Sequence, residues 1–303
     1  MKVAVTGGAG FIGSHLVDKL IEEGHIVVVI DNLLSGKEEN INKEAVFVRK
    51  DIRHNLSKDL EGVEAVFHLA ADPDVRASAE APRTSFDLNV EGTFDLLESC
   101  RRADIEHILF ASTSTVYGEA EAIPTPEDYP CMPISNYGAS KLACEAYISA
   151  FSASYGFKGT SLRFANIFGE RSTHGVMFDF FHKLNKSQNQ LEILGDGNQD
   201  KSYLHVSDCV SAILAAWQHQ DAQYDVFNVG SREKTTVKEL AELMCRIMDI
   251  SPEFKYTGTP RGWVGDVKVM LLDTSKLEKL GWKEEVSFEE GMKRYLRFLE
   301  SRS

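Results

Sequence analysis

Two side chains in the middle of this chain could do acid–base chemistry together. Tyr137 and Lys141 stand four residues apart in Ser135-Asn136-Tyr137-Gly138-Ala139-Ser140-Lys141. On a helix, residues at i and i+4 share one face. Ser135 suits the N-cap of such a helix, which puts Tyr137 in its first turn. A phenol with a pKa of about 10 is a poor base at neutral pH. An ammonium about 4 Å away is worth roughly 4 kcal/mol at an effective dielectric of 20, enough to lower the phenol by about three units. With that neighbour Tyr137 is expected to accept a hydroxyl proton near pH 7.

The elements that would position this pair read as strands alternating with helices. Val3-Ala4-Val5-Thr6 has the apolar run of a buried parallel strand, and a helix is expected from about Gly10 to Glu23, closed by Gly24. Between them Gly7-x-x-Gly10-x-x-Gly13 forms a turn in which a pyrophosphate can approach the backbone at a helix N-terminus. Ile26 to Ile30 is a second strand ending at Asp31, where a carboxylate can accept from both hydroxyls of an adenosine ribose. A 2′-phosphate there would be repelled, so the turn points to NAD over NADP, with Lys37 the one nearby cation that would favour the phosphate. Further strands are expected at Ala45 to Val48, Ala65 to His68, Ile108 to Ala111 and Gly159 to Arg163, with helices over Thr84 to Ala103 and from Ser135 to Tyr155. Alternation of this kind predicts a doubly wound α/β fold: a parallel sheet covered on both faces.

After Asn166 the pattern becomes irregular. Short strands (Leu191 to Leu194, Ser202 to His205) interleave with helices near Val206 to His219, Thr235 to Met248 and Ser287 to Leu299. We expect a first domain over 1–166 with a returning segment of about 203–230, and a smaller α/β substrate domain from 167–202 and 231–303. No Pro- or Ser-rich linker separates them, so they should pack closely.

The Ser112-Thr113-Ser114-Thr115 run lies at the carboxyl end of an expected strand, the edge where doubly wound sheets bind ligands. The hydroxyl of Thr113, with Ser112 as the second choice, can hydrogen-bond a reacting oxygen beside Tyr137.

Composition narrows the partners. The chain has 303 residues, 43% hydrophobic and 26% charged, the proportions of an ordinary globular protein. A net charge of −13 argues against nucleic acid as the main partner. The longest apolar runs are too short to span a bilayer, and Gly7, Gly8 and Gly10 interrupt the segment after Lys2 that could be mistaken for a signal peptide. The five cysteines form no Cys-x-x-Cys, and the nine histidines form no His-x-His or His-Glu-x-x-His, so neither a disulfide framework nor a metal site is expected. Reduced thiols in a cytosol are the expected state.

Taken as a set, the motifs resemble the extended short-chain dehydrogenase/reductases of the nucleotide-sugar epimerase and dehydratase family. They are Thr6-Gly7-Gly8-Ala9-Gly10-Phe11-Ile12-Gly13, Asp31-Asn32-Leu33, Asp51-Ile52, His68-Leu69-Ala70-Ala71, Asn89-Val90-x-Gly92-Thr93, the Ser/Thr run, Tyr137-x-x-x-Lys141, Leu162-Arg163-x-x-Asn166-x-Phe168-Gly169, Gly195-Asp196-Gly197-x-Gln199 and Gly265-Asp266. The resemblance covers nearly the whole chain and is nearest in pattern to the branch that interconverts UDP-galactose and UDP-glucose. It implies an NAD-binding Rossmann fold, with Tyr137, Lys141, Thr113 and Ser112 as the catalytic set. It implies that Gly7, Gly10, Phe11, Ile12, Gly13, Asp31, Asn32, Ser35, Gly36, Asp51, Ile52, Leu69, Ala70, Ala71, Asn89, Phe164 and Ala165 line NAD, with Asp51 and Ile52 at the adenine. Thr113, Asn166, Gly175, Val176, Lys201, Arg261 and Asp266 would contact the UDP-sugar, with Lys201 and Arg261 at the diphosphate and Asp266 on the uridine side. The family also pairs two helices per subunit in a homodimer, here Thr84–Ala103 and Ser135–Tyr155.

The chain departs from the family pattern at several points. Lys201 replaces the usual arginine and loses its bidentate fork. Arg261 lies farther from the Gly-Asp pair than usual. Pro73 stands where many epimerases carry lysine. Ser114 and Thr115 occupy the positions of the Asp-Glu pair of the 4,6-dehydratases, which points away from water elimination. Met270, four residues after Asp266, sits where the family sets the width of the sugar site. Arg76 is the candidate cation for a uronic acid substrate.

Overall fold

The computed structural model describes residues 1–258, 267 and 269–302. Arg261 and Asp266, both expected at the substrate, lie outside the described residues.

The main sheet has seven parallel strands: β1 (Lys2–Thr6), β2 (Ile26–Asp31), β3 (Val46–Arg49), β4 (Ala65–His68), β5 (His107–Thr113), β6 (Lys158–Phe164) and β7 (Tyr224–Val229). Their order is β7-β6-β5-β4-β1-β2-β3. The order reverses between β1 and β4, and the crevice outside the carboxyl ends at such a switch point is where open α/β sheets bind ligands.

Successive residues of a strand face opposite sides, and the two faces of β1 feed two cores. Val3 and Val5 join Leu16, Val17 and Leu20 of the first helix (Phe11–Glu22) and Cys209 and Ile213 of the helix Val206–His219. Ala4 joins Leu96, Leu97 and Cys100 of the helix Gly92–Arg102 and Ile148 and Phe151 of the helix Asn136–Tyr155. The first helix ends where Gly24, at φ +83°, donates its amide to Ile21 O.

A third core lies in the C-terminal half. The helices Val176–Lys186, Val237–Ile247 and Phe288–Glu300 bury Phe180, Phe181, Leu184, Leu240, Met244, Tyr295 and Leu296 together. Small parallel ladders flank it: Asn166–Phe168 with Tyr203–His205, and Gln190–Ile193 with Glu253–Tyr256. The segment Tyr203–Val229 passes through this region and then supplies both a covering helix and β7 to the main sheet.

Several elements differ from the sequence reading, among them the unexpected helix Val176–Lys186 and strand Glu253–Tyr256. The helix expected over Thr84 to Ala103 is interrupted by a π-turn at Phe86–Glu91. Such turns re-aim side chains, often at functional sites, and here the turn carries Asn89. Strand β7 was not anticipated, because Asp225 and Asn228 break its apolar run.

Candidate active site

The glycine turn is shaped for close approach. Gly7 has φ +71°, and a Cβ there would lie 2.7 Å from Ala70 N. A Cβ on Gly13 would lie 2.2 Å from Gly7 O, so only glycine lets the first helix start this close to the turn. Gly10 is the N-cap and supplies no side-chain cap to the amides of the first turn. Those amides, with the helix dipole, form the kind of site that holds a phosphate. Ala70, between Leu69 and Ala71 after β4, closes over the turn.

Asp31 is buried at the end of β2. Its Oδ2 accepts from Ala9 N at 3.0 Å and its Oδ1 from Leu33 N at 2.8 Å. An ionised carboxylate has about four acceptor sites, so two remain for ribose hydroxyls. Gly36 lies against the same oxygen, 3.1 Å from the position of an added Cβ, and Ser35 beside it is exposed. Lys37 donates its amide to Ala9 O at 3.0 Å, while its ammonium lies 4.0 Å from Glu39. Asn32 donates to Asp51 Oδ2 at 2.9 Å. Asp51 is held well below the usual carboxylate range by its bidentate pairing with Arg53. Asn32 and Asp51 line a pocket with Arg49, Lys50 and His54, beside buried Ile52.

Asn89 spans from the π-turn to the loop after β4 and to the helix Asn136–Tyr155. Its Oδ1 accepts from Asp72 N at 2.8 Å, and its Nδ2 donates to Ser140 Oγ at 3.0 Å. Beneath this loop His68 bridges Thr6 Oγ1 (2.7 Å) and Thr93 Oγ1 (2.9 Å). Burial pushes its imidazole down to about 3, so it is neutral and structural at pH 7. Phe164 and Ala165 close the far side at the end of β6, where Ala165 N donates to Val229 O at 2.8 Å. Glycine cradle, paired Asp31 and uncapped helix start together fit a dinucleotide.

Ser135 caps the helix Asn136–Tyr155 by accepting from Gly138 N at 3.0 Å, and Tyr137 lies in its first turn. The Tyr137 phenol lies close enough to the Thr113 side chain for that group to lower its proton affinity. Lys141 is 2% exposed and its Nζ donates to Ala111 O at 2.8 Å. That Nζ is 6.0 Å from the centroid of the Tyr137 ring. The geometry corrects the sequence expectation in one respect. Burial lifts the Tyr137 phenol above its usual value, and the Thr113 hydrogen bond only partly opposes this. Burial also brings the Lys141 ammonium down to about 8.

Ser112 is not beside Tyr137 in the way Thr113 is. It faces the other side of β5, and its hydroxyl donates to Glu145 Oε1. Glu145 belongs to a buried polar network that the sequence reading did not single out. Arg163 grips it through Nε (3.1 Å) and Nη2 (2.7 Å), and both side chains are nearly solvent-free. Arg163 Nη1 also donates to Tyr117 Oη at 2.8 Å, and Tyr117 donates to Asn228 Oδ1 at 2.7 Å. An arginine in the buried run Thr160-Ser161-Leu162-Arg163-Phe164 was the available signal, since a buried charge needs a buried partner.

The substrate-side residues are spread across the crevice. Asn166 donates to Ser202 O at 3.0 Å. Gly175, at φ +93°, is the N-cap of the helix Val176–Lys186 and adds no side-chain cap. Lys201 sits in a short strand paired with Thr235 and Met270. Met270 packs on the cluster of Val116, Tyr117 and Leu272. Among the described residues no group of three or more His, Cys, Asp or Glu could hold a metal ion.

The model of the NAD dependent epimerase/dehydratase family matches residues 3–230. A putative UDP-glucose 4-epimerase of Methanocaldococcus jannaschii is 40% identical over 99% of this chain and 98% of its own length. Two solved structures superpose on the whole chain and on 99% of their own. UDP-glucose 4-epimerase with UDP-glucose from Thermotoga maritima is 39% identical, with a TM-score of 0.92. UDP-N-acetylglucosamine 4-epimerase from Methanobrevibacter ruminantium is 32% identical, with a TM-score of 0.93. With the cofactor turn and the Tyr137–Lys141 helix in place, this chain belongs to the NAD-dependent epimerase/dehydratase family and is an NAD-dependent enzyme.

Proposed function

We propose that this chain is a UDP-glucose 4-epimerase, interconverting UDP-galactose and UDP-glucose through a transient 4-keto sugar. The observation that carries the reading is the Tyr137 phenol set close to the Thr113 hydroxyl, on the helix that also carries buried Lys141, at the carboxyl edge of the sheet. Tyr137 takes the proton of the sugar 4-hydroxyl and later returns it. Thr113 fixes that hydroxyl against the phenol. NAD, held by the glycine turn and Asp31, would supply the hydride acceptor and donor for C4 and, when oxidised, a second positive charge in the pocket. That second charge matters because burial outweighs the Thr113 hydroxyl in setting the proton affinity of Tyr137. Lys141 holds its ammonium over the Phe110 ring at 4.6 Å, beside the same pocket.

Residues 1–166 with the returning segment 203–230 hold NAD in this reading, and 167–202 with 231–303 hold the UDP-sugar. Asn166, Gly175, Val176 and Lys201 are its assigned contacts, with Arg261 and Asp266 beyond the described residues. Ser114 and Thr115 offer no carboxylate, which weighs against elimination of water. A UDP-glucuronate epimerase or decarboxylase is the runner-up, with Arg76 as its carboxylate cation; a UDP-N-acetylhexosamine 4-epimerase is the other variant, governed by the space around Met270.

We also propose a homodimer through the helices Gly92–Arg102 and Asn136–Tyr155. Phe94, Tyr147 and Tyr155 are 38%, 41% and 53% exposed on them; Phe94 touches Tyr147, and buried Phe151 joins Phe94 to Tyr155 in one aromatic ridge. No helix among the described residues is long and apolar enough to cross a membrane. The five cysteines are free, which suits the reducing cytosol in which we place the enzyme.

The test is incubation of purified protein with UDP-galactose without added cofactor, following UDP-glucose by chromatography, with Tyr137→Phe as control. Conversion lost in the variant is the expected result. No turnover of UDP-galactose, even with NAD added, would move the assignment to UDP-glucuronate or N-acetylated substrates. Turnover of none of them would leave an NAD-binding protein without catalysis.

A further inference from the structure

We propose that the Tyr117 hydroxyl is a positioning group: it holds the turn that carries Thr113 at a fixed distance from the helix that carries Tyr137. The proposal rests on the epimerase reading for its catalytic arm.

The turn Ser114–Tyr117 follows β5 directly. At its start Thr113 Oγ1 accepts from Thr115 N at 3.2 Å and meets Thr115 Oγ1 at 3.1 Å. At its end Gly118 N donates to Thr115 O at 3.3 Å, and Gly118, at φ +65°, turns the chain away. Tyr117 is therefore the terminal residue of the short rigid piece that begins at the substrate hydroxyl.

The Tyr117 ring is buried, 3% exposed, and its oxygen joins three parts of the molecule. It accepts from Arg163 Nη1 at 2.8 Å, and the opposite edge of that guanidinium holds Glu145. Glu145 lies on the catalytic helix, one turn beyond Lys141 and on the same face. The hydroxyl donates to Asn228 Oδ1 at 2.7 Å. Asn228 in turn donates to Thr125 O at 2.9 Å and to Asp273 O at 3.1 Å. Asp273 follows the Val269–Met270 strand, whose Met270 packs on the cluster of Val116, Tyr117 and Leu272. One oxygen thus fixes the spacing of the Thr113 turn, the Tyr137 helix and the strand beside the sugar site. With one bond given and one received, it is committed to that role.

A control residue exists. Tyr224 has a part-buried hydroxyl 3.0 Å from Ser161 Oγ on β6; it lies near Glu145 and Arg163, and its hydrogen bond is to Ser161, not to the turn.

The experiment compares Tyr117→Phe with Tyr224→Phe in the full-length NAD-bound protein. Tyr117→Phe keeps the ring stacked under Arg163 at 4.7 Å and is expected to fold. Two measurements are made on each: kcat and KM for UDP-galactose, and hydrogen exchange of the Thr115 and Gly118 amides. For Tyr117→Phe we expect kcat to fall about tenfold, since sub-ångström misplacement of a catalytic group is amplified in rate, with KM within about twofold of wild type. Exchange at Thr115 and Gly118 should speed up. Tyr224→Phe should change neither. Wild-type kcat and exchange in Tyr117→Phe overturn the proposal, as does an equal fall in kcat for both variants. If wild-type protein turns over no UDP-sugar, the epimerase reading fails, and the exchange arm alone decides: faster exchange in Tyr117→Phe alone upholds the anchor, and unchanged exchange overturns it.

Discussion

Replacing Lys141 by methionine should slow the chemistry and stabilise the fold, and both effects follow from where its ammonium sits. The Nζ is 6.0 Å from the Tyr137 ring centroid. At an effective dielectric of 20, a charge at that distance is worth about 3 kcal/mol, or about two pKa units on the phenol. Without it, the ionisation that governs kcat moves up by about two units, and kcat near pH 7 falls about 100-fold. The fall is largest at neutral pH and shrinks as pH rises toward the new value. The stability effect has its own sign. Burial brings Lys141 down from 10.5 to about 8, so its folded-state pKa is depressed. The unfolded chain keeps this proton up to pH 10.5 while the folded chain releases it near pH 8. Below pH 8 the folded protein carries the full penalty of a buried ammonium, about 3 kcal/mol, and the penalty fades between pH 8 and 10.5. Lys141→Met removes the penalty but loses the bond to Ala111 O, worth about 1 kcal/mol. The net gain at pH 7 is about 2 kcal/mol. The assays are kcat for UDP-galactose from pH 6 to 10 with NAD saturating, and urea denaturation at pH 7 and pH 10. A variant with an unshifted kcat profile would remove Lys141 from the chemistry, and a variant less stable than wild type at pH 7 would show that its burial is not a liability.

Two other predictions concern cofactor and assembly. Asp31→Ala removes the acceptor of the Ala9 and Leu33 amides and of the proposed ribose hydroxyls, so NAD affinity by calorimetry should fall at least about tenfold; wild-type affinity would place the ribose elsewhere. Phe94→Lys with Tyr147→Lys puts two charges into the exposed aromatic ridge, and the double variant should sediment as a monomer. A wild-type protein that already sediments at 33.8 kDa would dispose of the dimer.

The parallel sheet was legible because buried strands on both faces write themselves as unbroken apolar runs. Ile26–Asp31 and Ala65–His68 have that form and fall where the sequence puts them. The Ser135 cap was legible for the same local reason, and it accepts an amide at its helix start; the Ser287 cap and the Thr236–Glu239 capping box were not singled out. The π-turn at Phe86–Glu91 was not. Nothing local in Phe86-Asp87-Leu88-Asn89-Val90-Glu91 asks for an extra residue in the turn. It is compensated across 51 residues of chain by the bond from Asn89 to Ser140, which a window of neighbouring residues does not contain. Strand β7 was hidden because Asn228, 0% exposed, reads locally as a surface or turn residue. Its partners are 45 to 111 residues away.

The same contrast runs through the candidate site. Gly7, Gly13 and Asp31 work through the backbone, so their spacing alone implies what they do, and the structure places them around one turn. Tyr137 and Lys141 were paired by helical geometry, which gave the shared face but not the balance of forces. Spacing cannot report that Lys141 is 2% exposed, and it is burial that lifts the phenol and lowers the ammonium. Ser112 shows the converse. By sequence it is as good a hydroxyl as Thr113, yet strand alternation turns it to the other face, where it donates to the Glu145 carboxylate that Arg163 holds. A buried ion pair is weak evidence for stability. Its use here is geometric, because Arg163 has donors enough to hold Glu145 and Tyr117 at once, and a lysine at that position could not span both.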